Sequence, residues 1–241
     1  MRKFQSVSVL WAVLALCAVM SGCGLLHGAS ETGGEIKNLD GITVIVDAGH
    51  GDTDVGTIGV STGRYEKEVN LEVSKKLQAA LEARGVRVVM TRESDEPLGP
   101  ADEQDIERRK EADMQKREEI IGGANAHLLI SIHQNRFEDQ AVRGPQVFYL
   151  RNASDGAEYG VQFSECLQTA INEDLQIEKP RNINYGNWRL LKKGDQPGAI
   201  VECGFFSNPE EEVLLQQGEY QDRLVAAIVR GTQDYVEAYG V

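Results

Sequence analysis

Four residues sit where this chain could do chemistry: His50, Glu66, His133 and Glu202. His50 lies between two glycines in VDAGHGDTDVG (46–56), just past the apolar run 42–46. Glu66 opens the segment EKEVNLEVSKKLQAALEARG, His133 ends HLLISIH, and Glu202 lies inside AIVECGF. Two imidazoles and one carboxylate brought together from separate strand ends can enclose a zinc ion. His2Glu is a known catalytic set that leaves one position for water. A further glutamate nearby can serve as the base that takes the proton of that water. Gly49 and Gly51 remove side chains on either side of His50, so metal and substrate can approach the backbone. Taken singly, each residue has a plainer explanation. A histidine at a strand end commonly makes a structural contact, and Glu66 can stabilise a helix N-terminus through the macrodipole. Glu202 is harder to explain so, because a carboxylate inside an apolar strand is costly unless paired, bonded or near a metal.

The elements that must position these residues follow from periodicity. Residues 42–47 read as a buried strand. In 66–85, Val69, Val73, Leu77 and Leu81 recur every four residues, which places them on one helix face, with Gly85 as its cap. Strands are predicted at 86–92, 127–133, 145–150 and 199–205, with a short one at 187–193. Helices are predicted at 106–126 and 155–175, and mostly from 208 to 239. The stretch 93–104 reads as a loop. Strands alternating with helices imply α/β: a single three-layer α/β/α domain with a central, mostly parallel sheet over 41–241. In such sheets, sites gather at the carboxyl ends of strands, where these four residues fall.

The first 22 residues stand apart. Arg2 and Lys3 precede a nearly uninterrupted apolar stretch, 7–20. It is shorter than the roughly 20 residues a spanning helix needs. It suits the apolar part of a secretory signal. The segment ends in Met-Ser-Gly-Cys, which resembles a bacterial lipoprotein signal and makes Cys23 the expected lipidated N-terminus. Residues 23–40 are expected to be a flexible tether. The expected location is extracytoplasmic, on a membrane, in the forespore or cortex space if the cell sporulates. The formal charge of the 241-residue chain is -13. Losing residues 1–22 would remove two positive charges and no negative one. Such a surface repels polyanions, so nucleic acid is not an expected partner. Cys166 and Cys203 are the two cysteines of the domain, and no C-x-x-C pair offers a cysteine zinc site. A disulfide between them is possible, but separate thiols are expected.

DAGHGDTDVGTIG, EKEVNLEVSKKL, ISIHQN and AIVECGFFSNPEE, in that order, resemble the zinc-dependent N-acetylmuramoyl-L-alanine amidases. The resemblance runs from about residue 42 to about 239 and includes MTRESD at 90–95. It implies one Zn2+ per chain held by His50, Glu66 and His133, with Glu202 as the catalytic glutamate. Asp52 stands where a third glycine is common and Gln134 where alanine is common. Neither departure removes a ligand. The RRKEADMQKR helix (108–117) and the length make the chain look most like the germination-specific, spore-cortex branch.

Other polar residues have two readings. Asp47 could accept the second N–H of a ligand imidazole or be a turn residue. Asn135 could bond substrate or hold its loop. His127 is expected to be structural and His27 solvated. Arg92 and Arg117 are expected to brace the sheet's edge through salt bridges. The implied reaction is hydrolysis of the amide between N-acetylmuramic acid and L-alanine in peptidoglycan. The alternatives are a zinc peptidase or carboxypeptidase cutting the stem peptide, and an inactive wall-binding protein. The sequence shows no wall-binding module, so an activating envelope protein is an expected partner.

Overall fold

The computed structural model describes residues 39–150 and 157–241. The expected signal (1–22), Cys23, His27 and the tether up to residue 38 lie outside the described residues. Leu39, expected at the tether's end, is already buried and donates its N–H to the Arg84 carbonyl.

Among the described residues six strands and five helices follow one another, alternating over most of the chain. They are β1 (Thr43–Ala48), α1 (Glu66–Glu82), β2 (Arg87–Met90), α2 (Ile106–Gly123), β3 (Leu128–Asn135), β4 (Gln146–Leu150), α3 (Ala157–Asp174), β5 (Asn184–Gly186), β6 (Gly198–Phe205), α4 (Pro209–Leu215) and α5 (Gly218–Tyr239). The sheet order is β2-β1-β3-β6-β4-β5. Every neighbouring pair is parallel except β4 with β6. This is the α/β architecture with one mostly parallel sheet that the alternation implies.

The central strands are buried on both faces, which explains their near-continuous apolar runs. One face carries Val44, Val46, Ile130, Ile132 and Val201. It packs against the apolar stripe of α1 (Val69, Val73, Leu77, Leu81), Phe163 and Leu167 of α3, and Leu224 and Ile228 of α5. The other face carries Ile45, Leu129 and Ile200 under Ile121 of α2, with Leu190 and Leu191 beside them.

The segment 187–193 is not a strand. It forms a 3-10 turn at Leu190–Lys192. Leu190 and Leu191 are both buried in the same cluster, and consecutive residues of a strand would point to opposite faces. The strand is β5, which lies earlier and is too short and polar (NYG) to show a period. The helical stretch from 208 is two helices, interrupted at Gln216 and Gln217. Cys166 and Cys203 are free thiols. His127 is structural: its Nδ1 accepts the Thr43 N–H at 2.9 Å.

Candidate metal centre

His50, Glu66 and His133 converge at the carboxyl ends of β1 and β3. They offer one ligand atom each, all within 4.8 Å of one another. Glu66 Oε1 lies 3.2 Å from His50 Nε2 and 3.1 Å from His133 Nδ1. The two rings meet edge to face with centroids 4.9 Å apart.

Glu66 is the first residue of α1 and is buried. The Thr57 N–H donates to its Oε2 at 2.7 Å, and the Gln134 N–H to its Oε1 at 3.0 Å. Asn70, one turn along α1, donates to Oε1 at 3.2 Å and to the Gly49 carbonyl at 3.1 Å. Gln134 in turn donates to Asn70 Oδ1 at 3.1 Å. Asn70 and Gln134 therefore fix the carboxylate from both strand and helix. The sequence shows Gln134 only as a departure from alanine, and Asn70 only as one polar residue beside the apolar stripe.

His50 is held by its backbone. Its φ is +60°, the left-handed region that non-glycine residues rarely adopt. Two buried guanidinium groups hold the carbonyls around it. Arg92 donates to the Ala48 and Gly49 carbonyls at 2.8 and 3.1 Å and to that of Lys67 at 2.7 Å. Arg117 donates to the Ala48 carbonyl at 2.8 Å and to the His50 carbonyl itself. Arg92 and Arg117 thus do more than brace an edge: they set the backbone that presents His50. A Cβ at position 49 would fall on the His133 ring, and one at position 56 would meet Glu66 and His50. The absence of side chains at Gly49 and Gly56 makes room for the ligands.

Asp47 bonds no imidazole. It is buried, and its carboxylate accepts from Arg117 Nη1 at 2.6 Å, Ser131 Oγ at 2.6 Å and Thr91 Oγ1 at 2.7 Å. Its oxygens are taken up by these three donors, on α2, β3 and the residue after β2, rather than by a ring nitrogen. The carboxylate that meets His50 Nδ1, at 2.6 Å, is Asp54. Asp54 sits four residues on in a turn closed by paired Gly51 and Asp54 backbone bonds. Asn135 ends β3; its Oδ1 accepts the Arg136 N–H at 2.7 Å and its carbonyl accepts the Phe206 N–H.

Glu202 pairs with His133 across β3 and β6. It is buried, and its Oε2 has no hydrogen-bond partner among the described residues. Burial raises its pKa to about 7, and the negative charge of Glu66 adds to this against the two imidazoles. Burial disfavours a charged His50 ring, yet the Asp54 and Glu66 carboxylates overcome that and raise its pKa to about 10. Burial opposes ionisation of Glu66, but both imidazoles hold its carboxyl well below the usual range. Convergent N and O donors, side-chain-free glycines beneath them and an unpartnered buried carboxylate oxygen alongside all fit a zinc ion.

The comparisons agree with this geometry. Residues 44–234 match the family model for N-acetylmuramoyl-L-alanine amidase. The chain belongs to the N-acetylmuramoyl-L-alanine amidase family. It is 33% identical over 202 residues to the germination-specific N-acetylmuramoyl-L-alanine amidase of Bacillus subtilis, covering 84% of this chain and 83% of that one. Its fold is similar to the CwlD amidase of Clostridioides difficile, solved in complex with the GerS lipoprotein. The TM-score is 0.77 at 32% identity, over 81% of this chain and 98% of that one. An N-acetylmuramoyl-L-alanine amidase from Clostridium difficile 630 superposes with a TM-score of 0.71 at 29% identity, over 83% and 98% of the two chains. As a member of this amidase family, the chain is a hydrolase of peptidoglycan.

Proposed function

We propose that this amidase is zinc-dependent and releases the stem peptide from spore-cortex peptidoglycan by cutting the amide between N-acetylmuramic acid and L-alanine. The observation that carries the zinc dependence is the donor cluster of His50, Glu66 and His133 beside the unpartnered Glu202 carboxylate. Those three residues would hold the ion. When bound, zinc supplies Lewis acidity that polarises the amide carbonyl and makes water a stronger acid. Asp54 orients the His50 ring through Nδ1, leaving Nε2 for the metal side. Glu202 takes the proton of the attacking water and passes it to the departing alanine nitrogen. Its Oε2 has no hydrogen-bond partner among the described residues, so it is free to carry a proton in either direction.

The cortex assignment rests on likeness to the germination-specific relative of Bacillus subtilis. Export with a lipid on Cys23 rests on the N-terminal sequence pattern, and the domain reading (signal 1–22, tether 23–40, catalytic 41–241) goes with it. Among the described residues no helix is long and apolar enough to cross a membrane; the proposed membrane attachment is the lipid on Cys23. An envelope-side protein partner that raises activity fits the neighbour solved with a lipoprotein.

The test is metal analysis of the purified full chain together with mass spectrometry of its products on defined muropeptides. We expect about one zinc per chain, lost in His50→Ala/His133→Ala. We also expect intact stem peptides that begin with L-alanine. Cleavage within the stem peptide, or stoichiometric zinc in the double variant, would overturn the reading.

A further inference from the structure

A cleft of about 130 Å³ opens beside the two imidazoles. Its walls include Arg109, Lys110, Met114 and Arg117 of α2, with Leu190 from the 3-10 turn. Three of these residues are cations, and their commitments differ. Arg117 is almost fully buried and is bonded to Asp47, Asp113 and the carbonyls of Ala48 and His50. Arg109 donates to both oxygens of Asp52 and to the Ala101 carbonyl. Neither can turn to a new anion without leaving a carboxylate unpaired.

Lys110 is different. Its side chain is 37% exposed, and among the described residues its one ion-pair contact is to Asp54 Oδ1 at 3.3 Å. An ammonium has three N–H donors, so two remain for whatever enters the cleft. Asp54 keeps its other oxygen on His50, so Lys110 can shift toward the cleft without releasing the imidazole. The cleft is also lined by Asp47, Asp52, Asp54 and Asp113, but Asp47 and Asp113 are held by Arg117, Asp52 by Arg109 and Asp54 by His50, which leaves Lys110 as the cation there with the fewest commitments to meet a negative group.

The substrate carries such a group close to the reacting bond. In a muramoyl peptide the residue after L-alanine is an acidic one joined through its side-chain carboxyl. Its α-carboxyl is therefore left free, or is amidated in some walls. That group lies one residue from the scissile amide. We propose that Lys110 is a specificity-determining residue that receives this α-carboxylate, so that the enzyme prefers stem peptides with a free α-carboxyl over those carrying a carboxamide. This rests on the amidase reading above and adds the chemical class of stem peptide to it. Met114 and Leu190 give the cleft apolar walls for the aliphatic part of the peptide.

The experiment compares kcat/KM on two muramoyl tripeptides that differ only in carboxylate or carboxamide at the second residue. The enzyme is the zinc-loaded full chain, with metal content measured for every variant. A charge-assisted bond at a partly exposed site should favour the carboxylate peptide by about three- to fivefold. Lys110→Met should bring the ratio to about one at unchanged zinc content. Lys110→Arg should keep the preference and Lys110→Glu should reverse it. Because each substrate controls for the other, a general loss of activity cannot imitate this pattern. A wild-type ratio near one, or a Lys110→Met variant that slows both peptides in parallel, overturns the inference and leaves the amidase reading standing. A zinc-loaded wild type that cleaves neither peptide sinks both.

Discussion

The two faces of the sheet are built by different physics. The face under α1, α3 and α5 is mostly apolar and holds the larger core cluster, with Asn70 and Gln134 as its polar end beside Glu66. The face under α2 has a small apolar cluster, and next to it lie Asp47, Arg92 and Arg117, all buried. Burying apolar area stabilises without regard to direction. Burying an ion pair brings little net stability but fixes geometry, because each donor and acceptor needs a specific partner. The difference explains α2 itself. Its buried residues are Arg117 and Ile121, so it is tied to the sheet largely by directed bonds. Those bonds end on the carbonyls of Ala48 and His50, where the metal site begins. The apolar face holds the domain together, and the charged face aims His50.

The sharpest test of this division is at the chemistry. Glu202→Gln keeps shape and burial but removes the proton carrier. It should lower kcat by roughly 10²–10⁴-fold, with zinc content and unfolding midpoint near wild type. Near-normal turnover would make another group the base. Next comes the charged face. Arg117→Met leaves Asp47 buried and unpaired, which should destabilise by about 3–5 kcal/mol and also weaken zinc binding, since His50 loses its backbone support. Urea unfolding and zinc titration read the two effects separately. The double variant Asp47→Leu/Arg117→Met should recover much of the stability but not the zinc affinity. Full recovery of both would mean that the network does not position His50.

On the apolar face, Leu77→Ala should cost about 2–5 kcal/mol and leave zinc affinity unchanged, because α1 loses packing and no directed bond. A large drop in zinc affinity there would dissolve the contrast between the faces. The smallest effect is in acid. Burial opposes ionisation of Asp47, but Arg117 and the Ser131 and Thr91 hydroxyls outweigh it and hold its pKa at about 2, against 3.8 unperturbed. A carboxyl with a depressed folded-state pKa stabilises above its unfolded pKa and loses that contribution as pH falls through the folded one. The stability advantage of wild type over Asp47→Asn should therefore be full above pH 3.8 and shrink by roughly 2 kcal/mol as pH approaches 2. Unfolding of both proteins across that range measures it. A constant difference would mean that Asp47 has the same pKa folded and unfolded, so that Arg117 and the two hydroxyls do not favour its ionised form.

Much of this was legible in the chain, and the exceptions share a cause. The i+4 spacing of Val69, Val73, Leu77 and Leu81 announces α1, because a helix repeats its face within a few residues. Glu202 stands out as a carboxylate in an apolar strand. By contrast, Leu190 and Leu191 look like part of a strand until the core they both enter is known. Asp47 looks equally able to serve an imidazole or a turn, and Asp54 draws no notice as one of several acids in a glycine-rich turn. Lys110 is one charge among many in a charged helix.

The sequence by itself determined the ligand types, the alternation of strands and helices and the order of the motifs, because these depend on residue chemistry and short-range periodicity. Only the tertiary structure decided which carboxylate meets which cation. Asp47 and Arg117 are 70 residues apart, and His133 reaches Glu66 across 67. A buried charge has no preferred partner in the chain. It takes the one that the packing of the sheet and α2 brings within hydrogen-bond distance, and here that packing places Arg117 on Asp47, Asp54 on His50 and Lys110 in the lining of the cleft.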